Sequence, residues 1–310
     1  MTTSSDRPDT APGTRPAVAT ACGKAILLGE HSVVYGEPAL AVPLPGLRLA
    51  VELAGEGANL SIALEPGAPD GAEASVSAAL RAVASTLELP VPSPLRVAVR
   101  TGGLRSGMGT SAALGVAMAR ALLLWHGDQP DSERVLAAAQ AVECLFHGNP
   151  SGVDHTVSAL ETPLWFIKGS DPEPLRGLAP LHLVLLPRQS AEPTAAIVGA
   201  LRGRLAAEPG LMATVAQMGD VARASRAAWE RGDLASLADG LTAQQAALER
   251  LGVVGDRDRD GVTAALAAGA LAAKITGAGR NGSLLALVTE STSEAVRAAW
   301  GGSALAYTTG

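Results

Sequence analysis

The stretch "GGLRSGMGTSAALG", residues 102–115, holds the physical parts of a phosphate cradle. Its glycines let backbone N–H groups approach an anion, and a helix begins directly after them with its positive dipole end exposed. The hydroxyls of Thr110 and Ser111 can add hydrogen bonds or a magnesium ligand. The lysine of a Walker A loop is missing, so this is not that motif. An ordinary strand–loop–helix junction would read the same from this segment alone.

Three further stretches carry chemistry. In "HGNPSGVDH", residues 147–155, two Gly, a Pro, an Asn and a Ser surround one carboxylate, Asp154, with a His at each end. A turn, a metal site and a rigid seat for one base are all compatible with it. "GKAILLGEHSVVYGEPAL", residues 23–40, sets Lys24 at the start of an apolar strand and Glu30 and His31 in the turn beyond. No H-E-x-x-H is present, which excludes metalloprotease chemistry. In "KITGAGRNGSLL", residues 274–285, Gly277, Gly279 and Gly282 match G-x-G-x-x-G. A helix precedes this loop and a strand follows, the reverse of a dinucleotide fingerprint. So tight a glycine loop implies close approach by a ligand or by another backbone. A phosphate cradle, oxygen ligands for Mg²⁺, a cation and one carboxylate make up the parts of phosphoryl transfer.

The elements that must position these residues follow from periodicity. "LRLAVEL", "LSIAL" and "PLRVAVRT" alternate as strands, and "GAEASVSAALRAVASTLEL" is helical. "TSAALGVAMARALLLWHG" is a strong helix with Thr110 or Ser111 as its expected N-cap and Gly127 near its end. "DSERVLAAAQAVECLF" is a second, opened by Asp131 or Ser132. Residues 181–187 form a buried strand, and helices are expected at 191–206, 210–231 and 233–251. A charged turn "GDRDRD", a helix at 260–270, the strand "GSLLALVTE", a helix near 292–300 and a strand "ALAYTT" complete the chain. Without regular βαβ alternation, the class is α+β. A boundary falls in the Pro-rich stretch before residue 179, dividing 18–178 from 179–310.

Composition narrows the function classes. The 310 residues are 47% hydrophobic and only 3% aromatic, so Ala, Leu and Val must build the core. With a net charge of −6 and no basic run, neither nucleic acid nor an anionic membrane is the main partner. Two cysteines offer no disulfide framework, and a reducing cytoplasm fits. Residues 1–17 lack an apolar signal region and read as a flexible tail. Of the 24 basic residues only Lys24, Lys168 and Lys274 are lysines. A lysine kept against such a bias points to a need for a compact ammonium, which arginine does not replace.

"GKAILLGEHSVVYGEPALAVPL", "SGMGTSAALG" and "KITGAGRNGS" resemble, in order and spacing, the three signature motifs of the GHMP kinase superfamily. "GEHSVVYG" and "HGNPSGVDH" are most similar to its mevalonate kinase branch. The resemblance runs from about Cys22 to Val288. It implies an N-terminal domain of the ribosomal-protein-S5 type, a ferredoxin-like C-terminal domain and an active site in the cleft between them. It further implies ATP and Mg²⁺ as cofactors and mevalonate as acceptor, phosphorylated on its primary hydroxyl. Gly107, Met108, Gly109, Thr110 and Ser111 match the triphosphate loop, and Ser111 and Glu143 the magnesium ligands. Asp154 matches the catalytic aspartate and Lys24 the lysine beside it. Glu30 and His31 match residues on the acceptor side of the cleft, and Thr276, Gly277, Ala278 and Gly279 the third motif.

The chain also departs from the family pattern. Arg280 and Asn281 replace two glycines of the third motif, "LLPRQSAEPT" lacks the family's D-T-G stretch, and no proline precedes the phosphate loop. Phosphomevalonate, homoserine and sugars therefore stay open as acceptors, as does a catalytically silent member. Oligomeric state is open too, a homodimer included.

Overall fold

The computed structural model describes residues 15–56, 59–190 and 192–309. The tail expected over residues 1–17 lies outside the described residues as far as residue 14. The apolar run around Lys24 is one long strand, β1 (Ala17–Leu28). It pairs antiparallel with β2 (Ala39–Ala54), a strand bent at its two prolines. Cys22 pairs with Arg48 and Gly23 with Leu44, so residues 45–47 loop out at the bend. The intervening Ser32–Tyr35 segment is a single 3₁₀ turn.

Strand β3 (Leu60–Leu64) connects through helix α1 (Ala72–Leu87) to β4 (Leu95–Arg100), which runs parallel to it. This is the one parallel pair among the described strands. Helices α2 (Thr110–Trp125), α3 (Ser132–His147) and α4 (Val153–Leu160) follow, then β5 (Leu164–Phe166) and β6 (Glu173–Pro174). The sheet order is β3-β4-β2-β5-β6, with β1 attached to β2 alone.

The second sheet begins with β7 (His182–Leu186). Helices α5 (Thr194–Ala207), α6 (Met212–Glu230), α7 (Leu234–Arg250) and α8 (Asp256–Ala267) come next. Strands β8 (Ala272–Ile275) and β9 (Leu284–Val288), helix α9 (Glu290–Ala299) and strand β10 (Leu305–Thr308) complete it. All its pairings are antiparallel, in the order β10-β7-β9-β8. That is the ferredoxin-like order, with three additional helices in the first crossover. "GDRDRD" is not a turn but the opening of α8. The Asp258 carboxylate accepts the Gly255 N–H at 2.9 Å and so caps that helix itself.

The two sheets share one core. Leu183 and Leu185 of β7 and Leu285 and Leu287 of β9 join the apolar cluster of β1, β2, α1 and α2. Their alternates Val184, Leu186, Leu284 and Ala286 face a second cluster under α5, α7, α8 and α9. Ala, Leu and Val dominate both clusters. Helix α2 is apolar nearly all round, with twelve of its residues buried, so it lies inside the molecule rather than on it. Its N-cap is Gly109 rather than Thr110 or Ser111, which fall in its first turn. Midway along, Gly115 lets α3 approach: a Cβ there would sit 3.1 Å from Ala139 Cα and from Val142 Cβ.

Gly115→Leu should therefore force α3 outward. A destabilisation of about 2–3 kcal/mol is expected from overpacking, read by thermal or urea unfolding. An unchanged melting curve would contradict the α2–α3 packing.

Candidate active site

Because β1 bonds to β2 along one side only, the N–H and C=O groups of alternate residues face away from that sheet. The motifs dock on this edge. Lys24 N–H donates to the Met108 carbonyl at 3.0 Å, which fastens the residue 102–109 loop. Ile26 N–H donates to Thr276 Oγ1 at 3.1 Å, and the Thr276 hydroxyl faces Ile26 O at 3.4 Å. Gly107 and Gly277 then meet backbone to backbone: a Cβ on Gly277 would lie 2.5 Å from Gly107 Cα. Both take positive φ, +87° and +89°, which glycine adopts without strain. The close approach implied by the third glycine motif is thus made by another backbone.

The Lys24 side chain runs from this edge beneath Gly109 and is 1% exposed. Its Nζ donates to the Gly107 carbonyl at 3.1 Å and sits 3.0 Å from Asp154 Oδ2. Asp154 does not lie in a loop, as the density of Gly, Pro and Asn suggests. It occupies the first turn of α4, where the helix dipole favours its charge. The breakers end at Gly152, and Lys168 Nζ holds the loop by donating to Asn149 Oδ1 at 2.9 Å.

Two contacts farther along α4 keep this pair aligned. One turn after Asp154, Ser158 Oγ donates to Cys22 O at 2.5 Å, two residues before Lys24 on the same strand. At the helix end Glu161 takes a bidentate pair from Arg48, both at 2.8 Å, and a third bond from Arg120 at 3.1 Å.

Glu143 and His147 occupy the last turns of α3, facing the start of α2. Ser111 Oγ lies 3.0 Å from His147 Nε2, and His147 Nε2 lies 3.9 Å from Glu143 Oε1. The Glu143 carboxyl is buried, and its Oε1 has no hydrogen-bond partner. Burial, with the Asp154 charge nearby, pushes it up to about 7, against the pull of the Ser111 hydroxyl and Lys24. An orphaned, buried carboxylate oxygen beside a hydroxyl offers the hard oxygen donors that Mg²⁺ takes, so these residues fit that ion. No cluster of three His, Cys, Asp or Glu side chains suited to a metal occurs among the described residues. Mg²⁺ usually takes only one or two protein carboxylates and completes its shell with water and phosphate.

The acceptor side differs from expectation. Glu30 and Thr276 present almost no surface, 1% and 0% exposed. Glu30 forms a buried ion pair with Lys274, and Thr276 is engaged with Ile26, so neither side chain lines an open wall. His31, at φ +63°, donates from Nε2 to the Ala278 carbonyl at 3.1 Å. Burial depresses its pKa to about 4, which keeps the ring neutral. Arg280 and Asn281 hold positive φ, +40° and +70°, and so keep a backbone course that suits glycine. Their N–H groups donate to Val253 O at 2.8 Å and to buried Asp258 Oδ2 at 2.6 Å, which holds them there.

Residues 74–162 match the profile described as GHMP kinases N terminal domain, and residues 225–305 that of GHMP kinases C terminal. The chain belongs to the GHMP kinase family. A mevalonate kinase of Aeropyrum pernix is 32% identical, over 89% of this chain and 90% of the relative. One of Thermococcus sibiricus is 31% identical, over 91% and 92%. Among solved structures, the mevalonate kinase of methicillin-resistant Staphylococcus aureus is 27% identical with a TM-score of 0.72, covering 95% of this chain and 98% of that one. L. major mevalonate kinase in complex with R-mevalonate has a TM-score of 0.83 over 98% of both chains, a likeness of fold at 23% identity.

The fold is the two-domain GHMP kinase fold. Within it, sequence reasoning did not find the Lys274–Glu30 pair, the Gln245 side chain that accepts from Ile275 N–H at 3.1 Å, or the Ser111–His147 contact. The scarcity of lysine was a signal for the first. Nothing in the sequence marked the other two.

The depressed His31 pKa has a definite sign. The neutral ring contributes stability above its unfolded value near 6.5, and that contribution is lost as pH falls toward 4. His31→Asn, which tolerates positive φ, should lose roughly 1–3 kcal/mol less than the wild type between pH 7 and pH 4.5. Parallel acid-unfolding curves for the two proteins would refute this.

Proposed function

We propose that this protein transfers the γ-phosphoryl group of ATP to the primary hydroxyl of mevalonate, giving 5-phosphomevalonate and ADP. The observation that carries the proposal is the position of Lys24 Nζ, 3.0 Å from Asp154 and 3.1 Å from the Gly107 carbonyl. One ammonium thereby joins a carboxylate to the loop suited to phosphates. The curated relatives named mevalonate kinase, about 30% identical over most of their length, support the acceptor. On this reading the residue 178/179 division separates the lobes flanking the cleft, and the enzyme serves isoprenoid precursor synthesis in the cytoplasm.

In this reaction the backbone N–H groups of Gly107 and residues 109–111 and the N-terminus of α2 bind and orient the phosphates, the Met108 N–H being given to Arg105 O at 3.1 Å. Asp154 accepts the hydrogen bond of the acceptor hydroxyl, aims its oxygen and takes its proton as the new O–P bond forms. Lys24, 3.0 Å from Asp154, offsets negative charge as it develops between the reacting oxygens. Ser111 and Glu143 would hold Mg²⁺, which would supply positive charge to offset that of the phosphates. His147 orients the Ser111 hydroxyl.

A coupled assay of ADP release with (R)-mevalonate tests the assignment. Asp154→Asn should lower kcat by roughly 10²–10⁴ with little change in ATP affinity, and Lys24→Met should lower it strongly as well. Near-normal turnover by Asp154→Asn would remove the base. Phosphomevalonate, homoserine and galactose complete the panel, and turnover of one of these with mevalonate inert would move the acceptor.

A further inference from the structure

Lys274 is one of three lysines among 24 basic residues, and it is wholly buried. It lies on β8, the edge strand of the second sheet. Its Nζ donates to three acceptors: the carbonyl of Ile275 at 2.7 Å, the carbonyl of Ile26 at 3.4 Å, and Glu30 Oε1 in an ion pair. Two of these belong to the first motif and one to the third. An ammonium has three tetrahedral donors, so this set exhausts it.

Two unpaired strand edges, β1 and β8, therefore face each other at the lobe interface without forming a ladder. Side chains satisfy them instead: Thr276 takes the Ile26 N–H, Gln245 takes the Ile275 N–H, and Lys274 takes both carbonyls. A planar guanidinium cannot converge on acceptors arranged around one point, which accounts for lysine in an arginine-rich chain. Stability alone does not account for the pair. Burial raises the Glu30 pKa and lowers that of Lys274, in each case against the attraction of the other, and well-packed apolar residues often replace such a pair without loss. What an apolar pair cannot do is bind Ile26 O and Ile275 O to one point.

We infer that Glu30 and Lys274 are positioning residues that lock the third glycine motif onto the free edge of β1, and so hold Gly277 against Gly107 of the phosphate loop. The inference rests on the kinase reading above. It moves Glu30 from contact with the acceptor to alignment of the three motifs.

The test compares Lys274→Met, the double variant Glu30→Met/Lys274→Met, and Lys274→Arg. Melting temperature, Kd for Mg-ATP by calorimetry and kcat with (R)-mevalonate are measured for each. Lys274→Met should melt well below wild type, because it strands a buried carboxylate. The double variant should regain most of that loss, yet bind ATP about tenfold more weakly and turn over about 10–100-fold more slowly, as a small misplacement of a phosphate-binding backbone requires. Wild-type Kd and kcat in the double variant would overturn the inference, because the pair would then be structural filling alone. If the double variant does not fold, Lys274→Arg decides: it retains the charge and should still weaken ATP binding, and wild-type affinity there overturns the inference. A wild-type protein that binds ATP but leaves mevalonate untouched would remove the acceptor assignment, while the Kd comparison would still decide the role of the pair.

Discussion

The unpaired edge of β1 is the constraint on which the rest of this structure depends. A strand that bonds to one neighbour leaves every second residue with a free donor and acceptor, and in a buried setting those groups must be satisfied. Here Lys24 N–H is met by the residue 102–109 loop and Ile26 N–H by the third glycine motif. Three glycine-rich segments far apart in sequence are thereby brought to one line, at a spacing of two residues. The glycines at 107 and 277 are what allow the two loops to close on each other over that line.

The electrostatics follow from this geometry. Lys24 and Lys274 are both withdrawn from water, and each faces one carboxylate: Asp154 in the cleft and Glu30 in the interface. Glu143, the third carboxylate, has no cation bonded to it and is raised toward neutrality. In a low-dielectric site this contrast separates roles among chemically identical groups. Asp154 meets an ammonium in the cleft, Glu30 meets a second one in the interface, and the carboxyl of Glu143, left without one, is pushed up by burial.

Much of the fold was legible in the sequence because it is local. Alternation in "PLRVAVRT" and helical periodicity in residues 110–127 correspond to β4 and α2, and the helices expected at 191–206, 210–231 and 233–251 are present as α5, α6 and α7. The misreadings came from composition overruling capping. Residues 256–260 read as a charged turn, but Asp258 caps the helix to which it belongs. The Gly, Pro and Asn before Asp154 leave a turn or a rigid loop open there, although the helix starts at Val153 once those residues are passed.

The sequence alone determined the glycine loops, the single carboxylate after "HGNPSG", the retained lysines and the family they resemble, because residue type and spacing carry that information. Which carboxylate each lysine meets was decided only by tertiary structure. Glu30 and Asp154 are both acidic residues near glycines, and no local signal distinguishes them. The distinction arises because β1 offers one free edge, with Asp154 brought to it by α4 and Glu30 turned away from the cleft toward β8. Partners 130 and 244 residues apart are chosen by how two sheets share a core, a long-range packing outcome that no short window of sequence contains.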